Sequence, residues 1–387
     1  MSRFLLREIP YSNIHVELAE IGFDSLYLDV ISEKFRYKNI KIYGLSTAQA
    51  NILKQTALIF GADCAVNKNV VTGKIETSDV ILCGSYSQLQ KIVSKLKRQP
   101  FKLAMLAGKI QDFLNKPAGK TKITGILNVT PDSFSDGGLY LKPEDAQRKL
   151  ISLIEDGADM IDIGAESTKP YSVPVAPEEQ IARLKPILSF IINEGLTTKI
   201  SIDTRSSAVA DFALNNGAHL INDVSGFEFD NKMANVISRY NAGVIIQHSK
   251  DKAENTPVYK NVVDEIFLNL KDKISFAQEA GINDIIIDPG IGFGKSREDN
   301  FKILENIQTF YSLECPVMVG ISRKRLLHVQ DAGNDIKDAF TLAYSYPLMS
   351  AGVDFLRVHN VKLHKLFLNS LPLSLIHISE PTRRTPI

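Results

Sequence analysis

At 387 residues the chain is long for one ordinary domain, and its length predicts one large domain together with a smaller one. Hydrophobic residues make up 44% and charged residues 23% of the chain, which is typical of a folded globular protein and excludes general disorder. The chain has 45 Lys and Arg against 44 Asp and Glu, and this net charge of +1 gives no overall attraction to nucleic acid or to an anionic membrane. Any anion site must therefore be local.

The cysteines and the first residues indicate the compartment. Cys64, Cys83 and Cys315 lack the spacing of a metal site and are odd in number, which favours free thiols in a reducing environment. The first ten residues contain no long apolar segment, and no stretch approaches the roughly 20 apolar residues of a membrane span. We therefore expect a cytoplasmic protein whose partners include neither nucleic acid nor a membrane.

Residues 1–115 alternate short apolar runs with helical patterns, which predicts a small α/β or α+β domain. Residues 40–43 and 80–83 have the pattern of strands, and residues 48–60 and 86–96 have that of helices. The polar residues between these elements are typical of loop surface. An accessory or oligomerisation role is therefore favoured over a second catalytic site. Residues 116–120, which include Pro, Gly and two Lys, mark the predicted linker.

From residue 121 onwards, apolar strand patterns alternate regularly with amphipathic helical patterns. The predicted strand cores are residues 123–127, 160–163, 200–202, 220–221, 243–246, 285–287, 317–321 and 355–358. Eight such units in about 250 residues are expected for a (β/α)₈ barrel, the TIM barrel. The sequence thus predicts an α/β protein with a TIM barrel over residues 121–371, preceded by the small N-terminal domain.

Polar residues follow every one of the eight predicted strands. They are Asn128; Asp162, Glu166, Ser167 and Thr168; Asp203; Asn222 and Asp223; His248; Asp288; Ser322, Arg323 and Lys324; and Arg357 and His359. The carboxyl ends of barrel strands surround one mouth, which is where barrel enzymes keep their active sites. Some of these residues could instead cap helices, and a lone histidine is more often a satisfied core or loop residue than a ligand. The complete ring favours an active site.

These strand ends carry two kinds of chemistry. Asp203, Asn222 and Asp288 can accept hydrogen bonds from a planar heterocycle with several ring N–H groups. Positive charge at the last two strand ends suits a phosphate or pyrophosphate, and it comes from Arg323, Lys324, Arg357 and His359.

The stretch D-P-G-I-G-F-G-K at residues 288–295 looks like a phosphate-binding loop, but it lacks the G-x-x-x-x-G-K-[ST] spacing. We reject a P-loop for this reason. Its glycines are expected to let the backbone approach a flat ligand, with Phe293 packing alongside.

Several long motifs resemble one family. They are N-V-T-P-D-S-F-S-D-G-G at residues 128–138, D-I-G-A-E-S-T-K-P at 162–170, D-P-G-I-G-F-G-K at 288–295, S-R-K at 322–324 and R-V-H-N at 357–360. From about residue 121 to the end of the native chain, the sequence is similar to dihydropteroate synthase. The resemblance implies a folate-pathway transferase that joins 6-hydroxymethyl-7,8-dihydropterin diphosphate to 4-aminobenzoate and releases pyrophosphate. It also implies Mg²⁺ as the cofactor, small molecules as substrates, sulfonamides as inhibitors and a homodimer as the assembly.

The resemblance also implies roles for individual residues. The pterin pocket would comprise Asp203, Asn222, Asp288, Phe293, Lys324 and Arg357, with Arg357 stacked over the ring. The metal would bind Asn128, and the diphosphate would lie beside Asn128, Arg357 and His359. The 4-aminobenzoate would be surrounded by Phe134, Thr168, Lys169, Pro170 and Lys324. The catalytic group would be Asp132, Lys324, Arg357 and His359, in which Asp132 stabilises a cation on the pterin.

The sequence departs from the family pattern at three positions. Ala165 replaces a glycine, Lys169 stands where arginine is usual, and Asn360 replaces an aspartate. Lysine keeps the charge of arginine but loses its planar fork. Residues 373–387 resemble the translation of a transposase-type sequencing adaptor and are excluded from the functional interpretation. The helix after the eighth strand is therefore expected to be shortened.

Two other functions remain open at this point. A pterin-dependent methyltransferase would use the same type of barrel and the same acidic and amide pocket. A non-catalytic pterin-binding protein would use the N-terminal domain for interaction. The synthase is favoured by an intact first loop and by the diphosphate-facing set Asn128, Lys324, Arg357 and His359.

Overall fold

The structure is a computed structural model of the chain, and it describes Arg7, Ile9 and residues 11–115, 120–130, 143–166, 174–250, 257–329 and 331–371. The chain divides into two compact units between the described segments that end at residue 115 and begin at residue 120. The predicted linker at residues 116–120 lies outside the described residues except for Lys120, and so does the predicted adaptor-derived tail at residues 373–387.

The N-terminal unit contains a three-stranded antiparallel sheet with helices, which confirms the predicted small α/β domain. The strand order is β1-β3-β2. Its elements are α1 (Ile14–Glu20), α2 (Leu28–Ser32), β1 (Tyr37–Ser46), α3 (Thr47–Ile59), β2 (Asp63–Val66), β3 (Thr77–Ser85), α4 (Tyr86–Leu96) and α5 (Leu103–Asn115).

Serine side chains begin two helices of this unit. Ser46 accepts a hydrogen bond from the Gln49 amide at the start of α3, and the Gln49 side chain bonds back to the Ser46 amide. Ser85 and Gln88 repeat this capping box at α4. Each box satisfies two backbone donors that a helix N-terminus leaves free. These polar residues therefore have structural roles, and the unit has its own apolar core.

The second unit contains eight parallel strands alternating with helices. Its strands are β4 (Lys122–Asn128), β5 (Met160–Gly164), β6 (Lys199–Asp203), β7 (Leu220–Asp223), β8 (Gly243–Gln247), β9 (Ile285–Asp288), β10 (Met318–Val319) and β11 (Phe355–Val358). Its helices are α6 (Pro143–Glu155), α7 (Pro177–Asn193), α8 (Ser207–Asn215), α9 (Met233–Arg239), α10 (Val262–Glu279), α11 (Arg297–Glu305), α12 (Asn334–Ser350) and α13 (Val361–Ser370).

The strand order closes this sheet into a barrel. The order is β10-β11-β4-β5-β6-β7-β8-β9, and a parallel bridge between Ile287 and Val317 joins β9 to the residue before β10. All eight predicted strand cores lie in or directly beside these strands. The prediction of a (β/α)₈ barrel is confirmed.

An apolar layer inside the barrel supports a polar layer above it. The apolar layer contains Met160, Leu220, Ile245, Ile286 and Met318. Two positions later on four of these strands come Asp162, Asn222, Gln247 and Asp288, all of them buried. Because side chains alternate between the two faces of a strand, these four face the same interior, nearer the carboxyl ends. The fold itself thus gathers polar groups at the barrel mouth.

The last helix, α13, has ten residues and packs through Val361, His364 and Leu368. The His364 ring lies 2.8 Å from the Asn360 carbonyl oxygen through Nδ1 and 3.2 Å from Ser345 Oγ of α12 through Nε2. The described part of α13 therefore packs against α12. Among the described residues, every helix is too short or too polar to cross a membrane.

Candidate active site

A hydrogen-bonded network of five side chains lies in the polar layer, and we call these residues the floor: Asp162, Ser201, Asp203, Asn222 and Arg357. Arg357 donates from Nε to Asp162 Oδ2 at 2.6 Å and from Nη2 to Asp203 Oδ2 at 2.9 Å. Asn222 Nδ2 donates to Asp162 Oδ2 at 2.9 Å, and Ser201 Oγ donates to Asp162 Oδ1 at 2.6 Å. The fully buried Asp162 therefore fixes both Arg357 and Asn222.

Strand pairing explains why these residues meet. Asp162 on β5 pairs with Ser201 on β6, and Asp203 on β6 pairs with Asn222 on β7. Arg357 comes from β11 and reaches Asp162 and Asp203 with its long side chain. The floor is thus set by the barrel strands rather than by loops.

Burial and charge act against each other in the floor. Burial raises the pKa of Asp203 to about 7, although Arg357 favours the carboxylate. Burial alone would lower the pKa of Arg357, but Asp162 and Asp203 outweigh it and raise that pKa. Arg357 therefore stays charged and its orientation is fixed by two carboxylates.

One acceptor in the floor has no donor. Asn222 Oδ1 is buried and has no hydrogen-bond partner among the described residues, while Nδ2 of the same amide is used by Asp162. A buried polar atom without a partner costs roughly 1–3 kcal/mol. Such an atom is expected where a ligand supplies the missing N–H group.

The glycine-rich loop after β9 is tied to the end of β8. Lys295 Nζ donates to the carbonyl oxygens of His248, Gly290 and Phe293 at 3.2, 2.8 and 2.9 Å. Gly290 has a φ of +72°, and a Cβ there would lie 1.9 Å from the His248 carbonyl oxygen. Only glycine fits this position. The loop holds Asp288, whose Oδ1 accepts from the Gly290 amide at 2.7 Å, and burial raises the pKa of this carboxyl.

Lys324 lies against the same loop. Its Nζ donates to the Ile291 carbonyl oxygen at 2.6 Å and stands 4.6 Å from the centroid of the Phe293 ring. A Cβ on Gly292 would be 3.2 Å from Lys324 Cδ, so the glycine makes room for the lysine stem. Burial lowers the pKa of Lys324 to about 8, with Asp288 acting in the opposite direction. Asp288, Phe293 and Lys324 thus lie close to one another, and their assignment to a pterin pocket remains a prediction.

His359 is a neutral group in this structure. Ser322 Oγ accepts the His359 backbone N–H at 3.1 Å and lies 2.8 Å from His359 Nδ1. Because a hydroxyl has one proton and two lone pairs, Ser322 can accept that amide and still pair with either ring tautomer. We assign its proton to Nδ1, which leaves the ring proton on Nε2. Burial lowers the pKa of His359 to about 3, and Arg323 and Arg357 add to the shift. At this pKa the ring is neutral and supplies a hydrogen-bond donor, and the role of His359 at the diphosphate remains a prediction.

The Arg323 side chain is bound to a carboxylate on α12. Its Nε and Nη2 donate to Asp338 Oδ1 and Oδ2 of α12 at 2.7 and 2.8 Å. This bidentate pair occupies the planar fork that would bind a phosphate. The expectation that Arg323 adds to the anion site is therefore wrong. We call Ser322, Arg323, Lys324 and His359 the rim of the site.

Asn128, the predicted metal ligand, ends β4 beside the floor. A Cβ on the facing Gly164 would lie 3.3 Å from Asn128 Oδ1 and 3.8 Å from Asp203 Oδ2. The described residues contain no group of three or more His, Cys, Asp or Glu side chains that could hold a metal ion. One amide oxygen fits Mg²⁺, which often keeps several waters and takes other oxygens from a substrate phosphate. This donor set does not suit a metal held by the protein alone.

Five predicted residues lie outside the described residues: Asp132, Phe134, Thr168, Lys169 and Pro170. Their roles remain predictions. At the edge of the second loop, Glu166 Oε1 accepts from Arg205 Nη2 at 3.0 Å and from the Val175 amide at 3.2 Å. Glu166 therefore connects Arg205 with Val175, the second described residue after the loop. The neighbouring Ala165 is buried, and its carbonyl oxygen accepts from Arg183 at 2.8 Å, so the methyl group that replaces a glycine is accommodated.

The end of the fifth barrel strand differs from the expectation. Gln247 pairs with Asp288 and lies two residues after Ile245, which is part of the apolar layer inside the barrel. Because side chains alternate along a strand, Gln247 faces the interior and His248 faces the helices. His248 is buried, burial lowers its pKa to about 2, and its Nδ1 has no partner among the described residues. The alternation of side chains along the strand could have identified Gln247 from the sequence.

Known proteins resemble the chain over the region that contains these residues. The profile of a family described as "Pterin binding enzyme" matches residues 124–359. Dihydropteroate synthase of Clostridium beijerinckii is 40% identical over 246 residues, which cover 62% of this chain and 90% of that protein. The bifunctional dihydropteroate synthase/dihydropteroate reductase of Helicobacter pylori is 32% identical over 356 residues, covering 90% of this chain and 93% of that protein.

A third relative is much longer than the chain. It is named as a probable bifunctional folylpolyglutamate synthase/dihydropteroate synthase of Haloferax volcanii and is 34% identical over 345 residues. The match covers 81% of this chain but 40% of that protein, so the chain spans less than half the length of this relative.

Solved structures give the same result. Dihydropteroate synthase of Clostridium difficile, solved in the presence of pteroic acid, is 36% identical with a TM-score of 0.61, covering 66% of this chain and 96% of that chain. The Thermus thermophilus enzyme, solved with 6HMPPP and with 4-aminobenzoate, is 33% and 32% identical with a TM-score of 0.57 in each case. Each Thermus match covers 65% of this chain and 93% of the other. With its barrel, its floor and its rim inside the matched residues, the chain belongs to the dihydropteroate synthase family of pterin-binding enzymes.

Proposed function

We propose that the barrel condenses 6-hydroxymethyl-7,8-dihydropterin diphosphate with 4-aminobenzoate to give 7,8-dihydropteroate and pyrophosphate. The observation that carries this proposal is the floor, in which Arg357 is fixed between Asp162 and Asp203 beside the unpaired Asn222 Oδ1. Such an arrangement suits a flat ring that offers several N–H donors. The relatives named for this reaction support the proposal.

The pterin ring is proposed to lie on the floor. Asn222 Oδ1 and the carboxylates of Asp203 and Asp288 accept hydrogen bonds from its N–H groups. Lys324, held above Phe293, donates to a ring acceptor. Arg357 can stack its guanidinium plane on the ring, because Asp162 and Asp203 already hold that plane in place.

The diphosphate is proposed to lie between the floor and the rim. Arg357 supplies the positive charge, and neutral His359 donates its Nε2 proton to a phosphate oxygen. Asn128 would hold Mg²⁺ together with substrate and water oxygens, and the ion would stabilise negative charge on the leaving group. Lys324 carries a second positive charge below about pH 8.

The reaction then follows from where charge develops. The bond between the pterin methylene carbon and the diphosphate oxygen breaks, and its electron pair leaves with pyrophosphate. The amine nitrogen of 4-aminobenzoate attacks the cationic methylene carbon and loses a proton. Asp132 is proposed to stabilise the cation. The aminobenzoate is proposed to lie among Phe134, Thr168, Lys169 and Pro170, with the first two loops closing to exclude water.

The N-terminal unit is proposed to be an accessory module. The matches to the Helicobacter and Haloferax proteins cover 90% and 81% of the chain, so both extend into this unit. The second activities in the names of those two proteins differ from each other. The N-terminal region that both proteins share with this chain cannot by itself account for two different second activities. We therefore propose neither of those activities for this chain. A cytoplasmic homodimer is proposed for the whole chain, and the molar mass in solution by light scattering tests the dimer.

A two-substrate assay tests the function. We expect the purified full chain with Mg²⁺ to release pyrophosphate only when the pterin diphosphate and 4-aminobenzoate are both present. Release without incorporation of the arylamine would contradict a synthase. No release, together with methyl transfer from a methylated folate, would favour the methyltransferase on the same type of barrel. Pterin binding without either reaction would indicate the non-catalytic alternative. A shortened chain that begins at residue 116 shows whether the N-terminal unit is required.

A further inference from the structure

One carboxylate on α12 joins the two segments that carry the rim. Asp338 receives the bidentate pair from Arg323, and its Oδ2 also accepts from Asn360 Nδ2 at 3.1 Å. Arg323 follows β10 and Asn360 follows β11. The Asp338 side chain is 5% exposed, so these bonds are shielded from water. A single side chain thus contacts two chain segments that are far apart in sequence.

Each of these contacts is one residue away from a group of the proposed site. Arg323 directly precedes Lys324, and Asn360 directly follows His359. Ser322 and His359 form a second tie between the same segments, at 2.8 and 3.1 Å. A shift of either contact with Asp338 would therefore change the separation between Lys324 and His359.

The backbone at Arg323 is held in an uncommon conformation. Its φ is +57°, in the left-handed region that residues other than glycine rarely adopt. The buried Thr341 of α12 accepts the Arg323 backbone N–H through Oγ1 at 3.2 Å. Asp338 holds the side chain of the same residue from one turn earlier on α12. Such a conformation persists only when its surroundings enforce it, and here α12 does so.

The identity of residue 360 agrees with this arrangement. Asn360 donates to Asp338 while its Oδ1 accepts from the Leu363 amide at 3.0 Å and so caps α13. An aspartate could form the cap but would place a second carboxylate against Asp338. Burial alone would raise the pKa of Asp338, but the hydrogen bonds from Arg323 and Asn360 outweigh it and lower that pKa. The asparagine at this position thus has a reason within this chain.

We infer that Asp338 is a positioning residue for the transfer reaction, which sets the relative placement of Lys324 and His359 through Arg323 and Asn360 without touching the substrate. The inference rests on the proposed function for the roles of Lys324 and His359. It adds to the site a side chain from the second turn of α12, outside the strand ends.

The test compares two ligands that differ only in the diphosphate. In the full chain, Asp338→Asn keeps the size of the side chain but removes its charge. We expect the affinity for the pterin diphosphate and kcat each to fall about tenfold, because small displacements of catalytic groups have effects of this size. The affinity for 6-hydroxymethylpterin should fall less than that for the diphosphate, because Lys324 is the one proposed ring contact on the rim and the floor lies on the strands. Calorimetry measures both affinities.

Asp211→Asn is the matched control. Asp211 on α8 also binds an arginine, Arg239, together with the Tyr240 hydroxyl, but its side chain is 45% exposed. This variant should leave both affinities and kcat unchanged. Equal losses for the two ligands with Asp338→Asn would indicate a general structural role and would overturn the inference, as would no loss for either.

If Asp338→Asn does not fold, variants that move the negative charge from residue 338 to residue 360 test the same inference. Asn360→Asp should weaken binding of the diphosphate, because two carboxylates then face each other. Asp338→Asn combined with Asn360→Asp gives Arg323 a carboxylate from the other segment and should restore most of that affinity. Failure of the double variant to improve on Asn360→Asp would contradict the inference. If the unmodified chain binds both ligands but releases no pyrophosphate, the proposed function fails while the affinity comparison still decides the positioning role.

Discussion

The floor and the rim of the site are held in different ways. Floor side chains lie on barrel strands and bind one another, with Asp162 as the common acceptor. Rim side chains lie on segments beyond β10 and β11 and are held from α12 through Asp338. The comparison teaches that most of the pocket for the ring is part of the barrel strands, whereas Lys324 and His359 depend on helix-to-loop contacts.

This difference predicts which substitutions reduce the stability of the protein and which reduce binding of the diphosphate. The floor contains a charged network in which the Arg357 side chain is 17% exposed and both carboxylates are buried, and removing one partner of a buried ion pair strands the other charge. In the rim, the Arg323 and Asp338 side chains are 26% and 5% exposed, and their ion pair joins a loop to a helix rather than strand to strand. Floor substitutions should therefore cost stability and ring affinity, and rim substitutions should mainly affect the diphosphate.

The largest effect is expected at the centre of the floor. Asp162→Ala leaves Arg357 with a single carboxylate and removes the acceptor of Asn222 and Ser201. We expect the free energy of unfolding to fall by about 3–5 kcal/mol. Urea denaturation measures this loss, and Asp211→Ala, at an exposed ion pair, should cost below about 1 kcal/mol. Similar losses at the two positions would contradict the special status of the floor.

The next effect concerns ring affinity. Asp203→Ala removes a charged acceptor from the proposed pterin pocket, and hydrogen bonds to charged groups contribute roughly 1.5–3 kcal/mol. Affinity for 6-hydroxymethylpterin should therefore fall roughly ten- to a hundredfold, as measured by calorimetry. Unchanged affinity would remove Asp203 from the pocket.

The pH dependence should distinguish the floor from the rim. Lys324 has a pKa of about 8, so it is charged below that pH and loses its charge as the pH rises through it. Asp203 has a pKa of about 7 and gains its charge as the pH rises. The profile of kcat/KM for the pterin diphosphate should be bell-shaped, with limbs near these values.

A single substitution assigns the alkaline limb. Lys324→Arg keeps the positive charge at high pH and should remove the decrease above about pH 8 while leaving the acid limb in place. Pyrophosphate release at limiting substrate measures both limbs. Persistence of the alkaline limb in the variant would show that another group titrates there.

The smallest effect is expected for the metal. Asn128→Ala should raise the Mg²⁺ concentration needed for half-maximal activity roughly tenfold, the loss of one oxygen ligand worth about 1.4 kcal/mol. Binding of 6-hydroxymethylpterin without metal should not change. Removal of Mg²⁺ by EDTA should abolish pyrophosphate release and leave the unfolding temperature unchanged, because the described residues do not form a metal site of their own. A fall in that temperature would indicate a resident ion.

Most of the fold could be predicted from the sequence because barrel strands are buried on both faces. Their apolar runs are continuous, and polar residues follow each run, several of which lie at the barrel mouth in the described part of the structure. Asp203, Asn222, Asp288 and Arg357 were identified in this way, and the structure brings them together.

Other features depend on contacts that leave no periodic signal. Asp338 lies in the second turn of α12, 15 residues after Arg323, and nothing in the neighbouring sequence marks it as a partner. The charge state of His359 follows from burial, which the sequence does not show. Asp162 was recognised as a strand-end acid, but its place as the common acceptor follows only from the register of β5 with β6.

The ratio of affinities for the pterin diphosphate and for 6-hydroxymethylpterin tests the separation of floor and rim most directly. We predict that Asp203→Ala weakens both ligands alike and leaves the ratio unchanged. His359→Ala should preserve the affinity for 6-hydroxymethylpterin and weaken the affinity for the pterin diphosphate about tenfold. A loss of this size corresponds to about one hydrogen bond to a charged group. A changed ratio in Asp203→Ala, or equal losses for both ligands in His359→Ala, would contradict the account.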